Sequence, residues 1–318
     1  MIRIGIDEAG LGPKVGPLVI SAALFRFQAP PQHSLWQGLD GVVCRAGRRR
    51  PGRLVVDDSK RVYSRQRGLG PLEEGVLTFL AAGGLEARAL AELVDAVSVG
   101  RQRWADRYPW YADMGLALPR SPAGLGASVK ARRVNEALAE EGVELVAIRS
   151  LIAHPYEYNG VVSRIGSKLV ALFGLVARLI QRVLPACAEE EVSVVSDNLG
   201  GQRAYAPLIG RFFRGARIRI EAQSAAGSHY GVHWRDQEFD LAFVPRGDSA
   251  HFEVALASMQ SKYLRELHME LFNGYWQAQV PGLRPTAGYG RDGGRFIRDV
   301  EPKIKELGLD RWTVVRRR

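Results

Sequence analysis

The chain has few of the residues that indicate a disulfide framework, a zinc site or a membrane segment. Only two cysteines occur in 318 residues, Cys44 and Cys187, too few for a disulfide framework and without the spacing of a zinc site. No uninterrupted run reaches the roughly 18 apolar residues of a membrane helix. Arg3, Asp7 and Glu8 interrupt the segment where a signal peptide would lie. We therefore expect a cytoplasmic protein with two unpaired thiols and no membrane association.

Acidic residues are the minority among the charged ones. The 44 Lys and Arg against 34 Asp and Glu give a formal net charge of +10, and the pI is near 9.8. A surface of this kind favours polyanions, with nucleic acid the commonest. The 46% hydrophobic and 25% charged content is typical of a globular protein. We predict one domain over 1–318 with an insertion over 101–159, a C-terminal extension over 278–318 and a monomeric state.

Acidic residues nevertheless stand at the ends of predicted secondary structure. The alternating stretch from Ile2 to Ile6 predicts a strand, and Asp7 and Glu8 follow it directly. A second short apolar stretch, 192–196, ends in Asp197, and Asp248 lies near the start of a long predicted helix. Together these four acids match the need of two-metal phosphodiester hydrolysis for carboxylates that hold two divalent cations. A glycosidase-type acid/base pair and scattered helix-capping acids remain alternatives at this point.

Other segments give a coarse outline of an α/β chain. The stretch 17–27 predicts a strand that pairs with the first as a hairpin, and 154–159 reads as a loop. Apolar residues at helical spacing predict a single helix over 161–184. The aromatic residues Trp104, Tyr108, Trp110 and Tyr111 crowd the insertion, where they either stack on bases or, as we favour, form a small core. The final three arginines, 316–318, read as a frayed basic tail.

Several motifs resemble those of the type 2 ribonucleases H (ribonucleases HII and HIII), and they occur in the order of that family. They are the opening strand with Asp7-Glu8-Ala9-Gly10-Leu11-Gly12-Pro13, the triplet Asp58-Ser59-Lys60, the pair Ser196-Asp197, the triplet Gly247-Asp248-Ser249, and Gly288-Tyr289-Gly290. The resemblance implies a ribonuclease H-like α/β fold, in which helices flank a mixed five-stranded sheet and a helical C-terminal extension follows. It also implies endonucleolytic hydrolysis of the RNA strand of RNA–DNA hybrids, or of ribonucleotides embedded in DNA, with 3′-hydroxyl and 5′-phosphate products.

The resemblance implies a role for each matching residue. Asp7, Glu8, Asp197 and Asp248 would be the catalytic residues and would hold two Mg²⁺ or Mn²⁺ ions. Ser59 and Lys60 would contact substrate, Lys60 through a phosphate, and Tyr289 would stack on a sugar. The backbone amides from Gly10 to Gly12 would read the 2′-hydroxyl, the group that distinguishes RNA from DNA.

This chain departs from the family at the middle of the glycine motif. Leu11 stands where the family has Arg or Lys, so its side chain provides no phosphate contact. Two alternatives to an active ribonuclease therefore remain at this point. One is a nucleic-acid-binding module of the same fold with weak or no turnover, and the other is a nuclease of the same fold with a different nucleic-acid substrate.

Overall fold

The structure is a computed structural model that describes residues 1–64, 66–100 and 107–317. Its strands are Ile2–Ala9 (β1), Leu18–Phe27 (β2), Val43–Cys44 (β3), Leu54–Val55 (β4), Val143–Ala153 (β5), Val192–Asp197 (β6), Arg217–Ser224 (β7), Gly227–Trp234 (β8) and Gln237–Val244 (β9). Its α-helices are Leu35–Gly38 (α1), Ser59–Val62 (α2), Gly70–Ala82 (α3), Leu90–Val97 (α4), Ala127–Glu140 (α5), Pro155–Ile165 (α6), Lys168–Val183 (α7), Ala206–Phe212 (α8), Gly247–Ala250 (α9), Phe252–Gln279 (α10), Gly290–Glu306 (α11) and Arg311–Val314 (α12).

A seven-stranded mixed sheet in the order β5-β2-β1-β6-β9-β8-β7 forms the centre of the fold. β1, β6 and β9 are mutually parallel, and β2 pairs antiparallel with both β1 and β5. The predicted hairpin of β1 and β2 and the predicted mixed α/β sheet are thus confirmed. The sheet is two strands wider than the predicted five, because the antiparallel strands β8 and β7 continue it beyond β9.

The sheet separates two hydrophobic cores. Ile2, Ile4 and Ile6 project from β1 into the core that contains α7, as the two-residue period of a strand requires. The opposite face packs against α10, which is the longest helix and lies across β1 and β2. Gly5 allows this contact, since a Cβ at that position would lie 2.2 Å from the carbonyl carbon of Glu253. The central strand and the central helix are therefore held at backbone-to-backbone contact.

The predicted helix over 161–184 is two helices, and this prediction was wrong in its boundaries. Gly166 ends α6 in a left-handed conformation (φ 76°), and Ser167 begins α7 by accepting a hydrogen bond from the Val170 N–H. The predicted loop at 154–159 is instead the first turn of α6, with Pro155 at its start. The apolar spacing continued across the break and concealed it.

One segment among the described residues, Lys168–Cys187, is apolar and long enough to cross a membrane, with a mean hydropathy of 1.7. Our expectation that no such run exists did not allow for a segment interrupted only by residues such as Arg178 and Arg182. In this fold the apolar residues of α7, among them Leu172 and Leu179, are buried in the core beneath the sheet. The helix is therefore a core helix of this domain.

The aromatic residues of the insertion form a core, as we favoured. Tyr108, Trp110 and Tyr111 are buried, and Trp110 packs edge-on against Phe272 of α10 at 5.3 Å between ring centroids. They are therefore inaccessible to nucleobases, whereas Trp104 lies outside the described residues. The predicted insertion over 101–159 is not separate from the sheet, because its last part is the edge strand β5.

A buried carboxylate fastens the insertion to the helices. Glu73 of α3 is fully buried and accepts hydrogen bonds from the N–H groups of Arg120 and Ser121, the Ser121 hydroxyl and the Tyr263 hydroxyl, each at 2.7 Å. Such a group is costly to leave partly unpaired in the interior.

We expect Glu73→Gln to destabilise the fold by about 2–3 kcal/mol. The NH₂ group of glutamine is a donor, and it would face the N–H and hydroxyl groups that now donate to the Glu73 carboxylate. Urea unfolding followed by circular dichroism measures this change. Glu74→Gln is the matched control, since Glu74 forms a partly exposed ion pair with Lys130, and its loss should change stability by less than about 1 kcal/mol. Equal effects of the two variants would contradict this role of Glu73.

Candidate active site

The carboxyl ends of β1 and β6 bring the first three acids together. β1 pairs parallel with β6 up to Ile6 and Ser196, so Asp7 and Asp197 are the next residues along adjacent strands. Glu8 follows Asp7 on β1. Asp7 is 7% exposed, and Glu8 and Asp197 are partly buried. Three of the four predicted acids therefore occupy one edge of the sheet.

The fourth acid reaches the same edge through the connection after β9. β9 pairs parallel with β6 as far as Val244 and Asp197. The chain then turns through Arg246, which is left-handed (φ 56°), into α9. The Gly247 N–H donates to the Asp197 Oδ1 at 2.8 Å, so the first turn of α9 rests on Asp197. Asp248 is the next residue and is 7% exposed.

The electrostatics of the acids also indicate a cluster. Burial, the charge of Glu8 and that of Asp197 raise the pKa of Asp7 well above its usual value. Burial and the charge of Asp197 likewise raise the pKa of Glu8. Burial, then repulsion from Asp58 and Asp197, raises the pKa of Asp248 to about 6. The folded protein therefore holds several carboxylates close together, and their negative charges are only partly neutralised by nearby groups.

The Asp-Ser-Lys motif lies against this cluster. Burial acts to lower the pKa of Lys60, but the charges of Asp58, Asp7, Asp248 and Asp197 outweigh it and raise the pKa. Lys60 itself is exposed. Asp58 begins α2 and accepts a hydrogen bond from the Lys60 N–H at 2.9 Å. Lys60 is thus a cation held beside several acids on the open side of the cluster.

Two serines of α10 connect the motif to β1. The Ser258 hydroxyl donates to Ser59 Oγ at 3.0 Å and also interacts with the Asp7 carboxyl. The Ser261 hydroxyl donates to the Asp7 carbonyl at 3.0 Å. Sequence reasoning assigned no role to Asp58 or to these two serines, although Asp58 stands in the same motif as Lys60.

The predicted substrate loop, residues Gly10 to Gly12, lies beside the predicted tyrosine. A Cβ at Gly12 would lie 3.8 Å from Cε1 of Tyr289, and Tyr289 is 46% exposed. The Lys14 N–H donates to the Gly288 carbonyl at 2.8 Å, which fixes the two segments together. Gly10 requires its glycine, because its φ is 93° and a Cβ would meet Arg265. Leu11 packs at the margin of the core under the sheet.

The donor set fits a hard divalent cation in its chemistry. The groups are carboxylate oxygens with excess negative charge, which Mg²⁺ and Mn²⁺ accept and would neutralise. Within the described ranges, however, no three acidic, imidazole or thiol groups converge closely enough to form a metal site as they stand. Side-chain rearrangement at this edge would accompany ion binding.

A metal-binding prediction follows from the raised pKa values. Because the pKa of Asp248 is about 6 in the folded state and 3.8 ordinarily, the native state binds more protons between these values, and this carboxyl's contribution to stability falls as pH rises through that window. We expect Mn²⁺ to raise the melting temperature at about pH 7.5 by several degrees, and to do so much less at about pH 5, where protons compete. Differential scanning calorimetry with and without Mn²⁺ measures this. An equal shift at both pH values, or one retained in Asp7→Asn, would contradict a metal site at these acids.

Comparisons with known proteins found similar chains among solved structures alone. No protein-family profile matches the chain, and no curated protein matches it in sequence. Among solved structures it is similar to Bst ribonuclease HIII in complex with Mn²⁺ (14% identity, 99% of this chain and 66% of that one, TM-score 0.42). It is also similar to ribonuclease H2 from Pyrococcus horikoshii (15%, 99% and 92%, 0.41) and to ribonuclease HII in its complex with PCNA from Archaeoglobus fulgidus (15%, 100% and 95%, 0.41). The chain spans just under two thirds of the first of these proteins.

The described residues form a mixed sheet flanked by helices, as predicted, and the similar solved structures are ribonucleases HII and HIII. At identities of 13–15% the likeness does not extend to activity.

Proposed function

We propose that this protein is a metal-dependent endoribonuclease that hydrolyses the RNA strand of RNA–DNA hybrids and leaves 3′-hydroxyl and 5′-phosphate ends. The observation that carries the proposal is the meeting of Asp7, Glu8, Asp197 and Asp248, from three separate segments, at one edge of the sheet with Lys60 beside them. Each acid alone has an ordinary structural explanation. The raised pKa values of Asp7, Glu8 and Asp248 come from burial and from the neighbouring acids, not from helix capping.

The four acids would hold Mg²⁺ or Mn²⁺, which when bound activates a water and stabilises the leaving oxygen. Ser258 orients the Asp7 carboxyl, and the Gly247 N–H orients that of Asp197. Lys60 provides a positive charge for a phosphate at the open side of the cluster. The loop at 10–12 and Tyr289 form a second contact area, one offering backbone groups and the other an exposed ring. A net charge of +10 supports binding to a polyanion.

A nucleic-acid-binding module with little turnover is the second candidate. The observation that favours it is that no three acids among the described residues converge as a ready site. A binding module would retain hybrid without cutting it in either metal. A nuclease of this fold with another substrate would instead cut a nucleic acid other than the hybrid.

The test is cleavage of three labelled duplexes of one sequence in Mg²⁺ and then in Mn²⁺. They are all-DNA, DNA with a single ribonucleotide, and a continuous RNA–DNA hybrid. We expect cutting of the hybrid and none of the all-DNA duplex, and no cutting by Asp7→Asn/Asp248→Asn. The single-ribonucleotide duplex shows whether an isolated 2′-hydroxyl suffices when position 11 is leucine. Hybrid retained in a binding assay but never cut would replace the proposal with the binding module.

A further inference from the structure

The C-terminal segment is built into the candidate nucleic-acid site. We predicted a frayed tail at 316–318, and for Arg316 this prediction was wrong, because the residue is 4% exposed. Arg318 lies outside the described residues. Val315 forms an antiparallel bridge with Val15, and the Arg316 N–H donates to the Lys14 carbonyl at 2.8 Å. The tail is therefore paired with the segment that follows the loop at 10–12.

Asn159 of α6 fixes the tail from the other side. Its Nδ2 donates to the carbonyls of Trp312 at 3.0 Å and Val315 at 2.8 Å, and its Oδ1 accepts from the Arg317 N–H at 2.6 Å. One amide side chain thus uses both donors and its acceptor on the tail. The guanidinium of Arg316 also lies over the Tyr158 ring, 4.0 Å from its centroid.

The Arg316 side chain extends from this support to the backbone of the loop. Its Nη1 donates to the Gly10 carbonyl, and its Nη2 donates to the Leu11 carbonyl at 3.3 Å. Among the described residues no carboxylate acts on the Arg316 guanidinium, and its Nε has no hydrogen-bond partner. Burial, together with the nearby charge of Arg265, lowers the pKa of Arg316 to about 10. The fold keeps a buried, unneutralised cation under this loop.

The planar geometry of the peptide group determines where the N–H groups of the loop point when Arg316 binds its carbonyls. In a planar trans peptide the carbonyl of one residue and the N–H of the next point in opposite directions. Holding the Gly10 carbonyl against Arg316 turns the Leu11 N–H away from it, and holding the Leu11 carbonyl does the same for the Gly12 N–H. Neither N–H donates to another described residue. Two neighbouring donors are therefore directed away from the guanidinium, on the loop that lies beside Tyr289.

We propose that Arg316 is a positioning residue that sets these two N–H groups to bind a hydroxyl or phosphate oxygen of a ribonucleotide. The inference rests on the proposed function and goes beyond it, since it assigns the tail a part in substrate choice. With leucine at position 11, the positive charge near the loop comes from Arg316, whose guanidinium binds the loop carbonyls, and from Arg265, which lies against Gly10. Arg316 acts through the loop and does not itself touch the substrate.

The test compares Arg316→Met with Arg317→Met in the full chain. The Arg317→Met substitution removes the same charge one residue further along the chain. The Arg317 guanidinium lies over the Trp312 ring and makes no contact with the loop at 10–12. Binding is measured for the hybrid and for the all-DNA duplex of the same sequence, in the cleavage-defective Asp7→Asn background. Hydrogen exchange of peptides covering 9–19 is measured on the same proteins without nucleic acid.

We expect Arg316→Met to reduce the preference for hybrid over DNA roughly tenfold and to accelerate exchange in 9–19. Arg317→Met should weaken both duplexes equally and leave exchange unchanged. Arg316→Lys should restore part of the preference, and Asn159→Ala, which frees the tail but keeps the guanidinium, should lower it. If Arg316→Met folds poorly, Asn159→Ala provides a second test of the same role of the tail.

Two results would overturn the proposal. One is unchanged preference and exchange in Arg316→Met, and the other is the same change in Arg316→Met and Arg317→Met, which would reduce the effect to net charge. If the unaltered chain shows no preference for hybrid, the proposed function fails. In that case hydrogen exchange alone tests whether Arg316 supports the loop. Faster exchange of peptides covering 9–19 in Arg316→Met, but not in Arg317→Met, would support this role. Unchanged exchange in Arg316→Met would refute it.

Discussion

Asp7→Asn will lose cleavage of the hybrid by at least about 1,000-fold and yet melt at a higher temperature than the unaltered protein. The loss follows because Asn removes the charge of a buried carboxylate at the centre of the acid cluster. The gain in stability follows because the pKa of Asp7 is raised by burial and by Glu8 and Asp197, so its ionised form destabilises the native state at neutral pH. Activity and stability should therefore change in opposite directions.

Single-turnover cleavage in Mn²⁺ and metal-free thermal unfolding at about pH 7.5 measure the two effects. Asp236→Asn is the matched control. Asp236 is exposed in the turn between β8 and β9, at the end of β9 that lies away from the acid cluster. It should change neither quantity appreciably. An Asp7→Asn protein that melts lower than the unaltered chain would show that the carboxylate is a structural group.

Gly5→Ala will have the largest effect on stability, a loss of about 3 kcal/mol or more. A Cβ on Gly5 would lie 2.2 Å from the Glu253 carbonyl carbon and 2.3 Å from the Val254 nitrogen. These are backbone atoms of α10, so no side-chain rotation can relieve the overlap. The helix would have to move away from β1, taking with it Ser258 and Ser261, which contact Asp7.

Gly274→Ala provides the comparison, because Gly274 lies in the exposed part of α10 and a Cβ there would meet nothing within 4 Å. It should gain about 0.5–1 kcal/mol from helix propensity. Chemical unfolding gives both values. A Gly5→Ala protein as stable as the unaltered chain would contradict the close contact between β1 and α10.

The sequence predicted the parts of this molecule that depend on local pattern. The alternation in β1 and the acids near the carboxyl ends of β1 and β6 were readable, although the strands extend to include these acids instead of ending before them. The assignment of Asp7, Glu8, Asp197 and Asp248 to catalysis remains a prediction, although the fold brings them to one edge. Their common location depends on β1, β6 and β9 being parallel neighbours, which the motif resemblance implied and local pattern did not.

Other features depend on contacts between distant segments and left no local signal. Arg316 lies in a run of three arginines that resembles a solvated terminus, and only the docking of 312–317 against Asn159 and Lys14 buries it. The strands β7 and β8 widen the sheet beyond the five strands that we predicted. The break at Gly166 was hidden by apolar residues that are at helical spacing on both sides of it. In each case tertiary packing decided what the sequence pattern left open.

The most direct test of the central claim is product analysis of an end-labelled RNA–DNA hybrid after incubation with the protein and Mn²⁺. The account predicts internal cuts in the RNA strand only, products with 3′-hydroxyl and 5′-phosphate ends, and no products when metal is chelated or when Asp7→Asn/Asp248→Asn replaces the unaltered chain. An intact hybrid in both metals, or products that persist in the double variant, would contradict the assignment of these acids to phosphodiester hydrolysis.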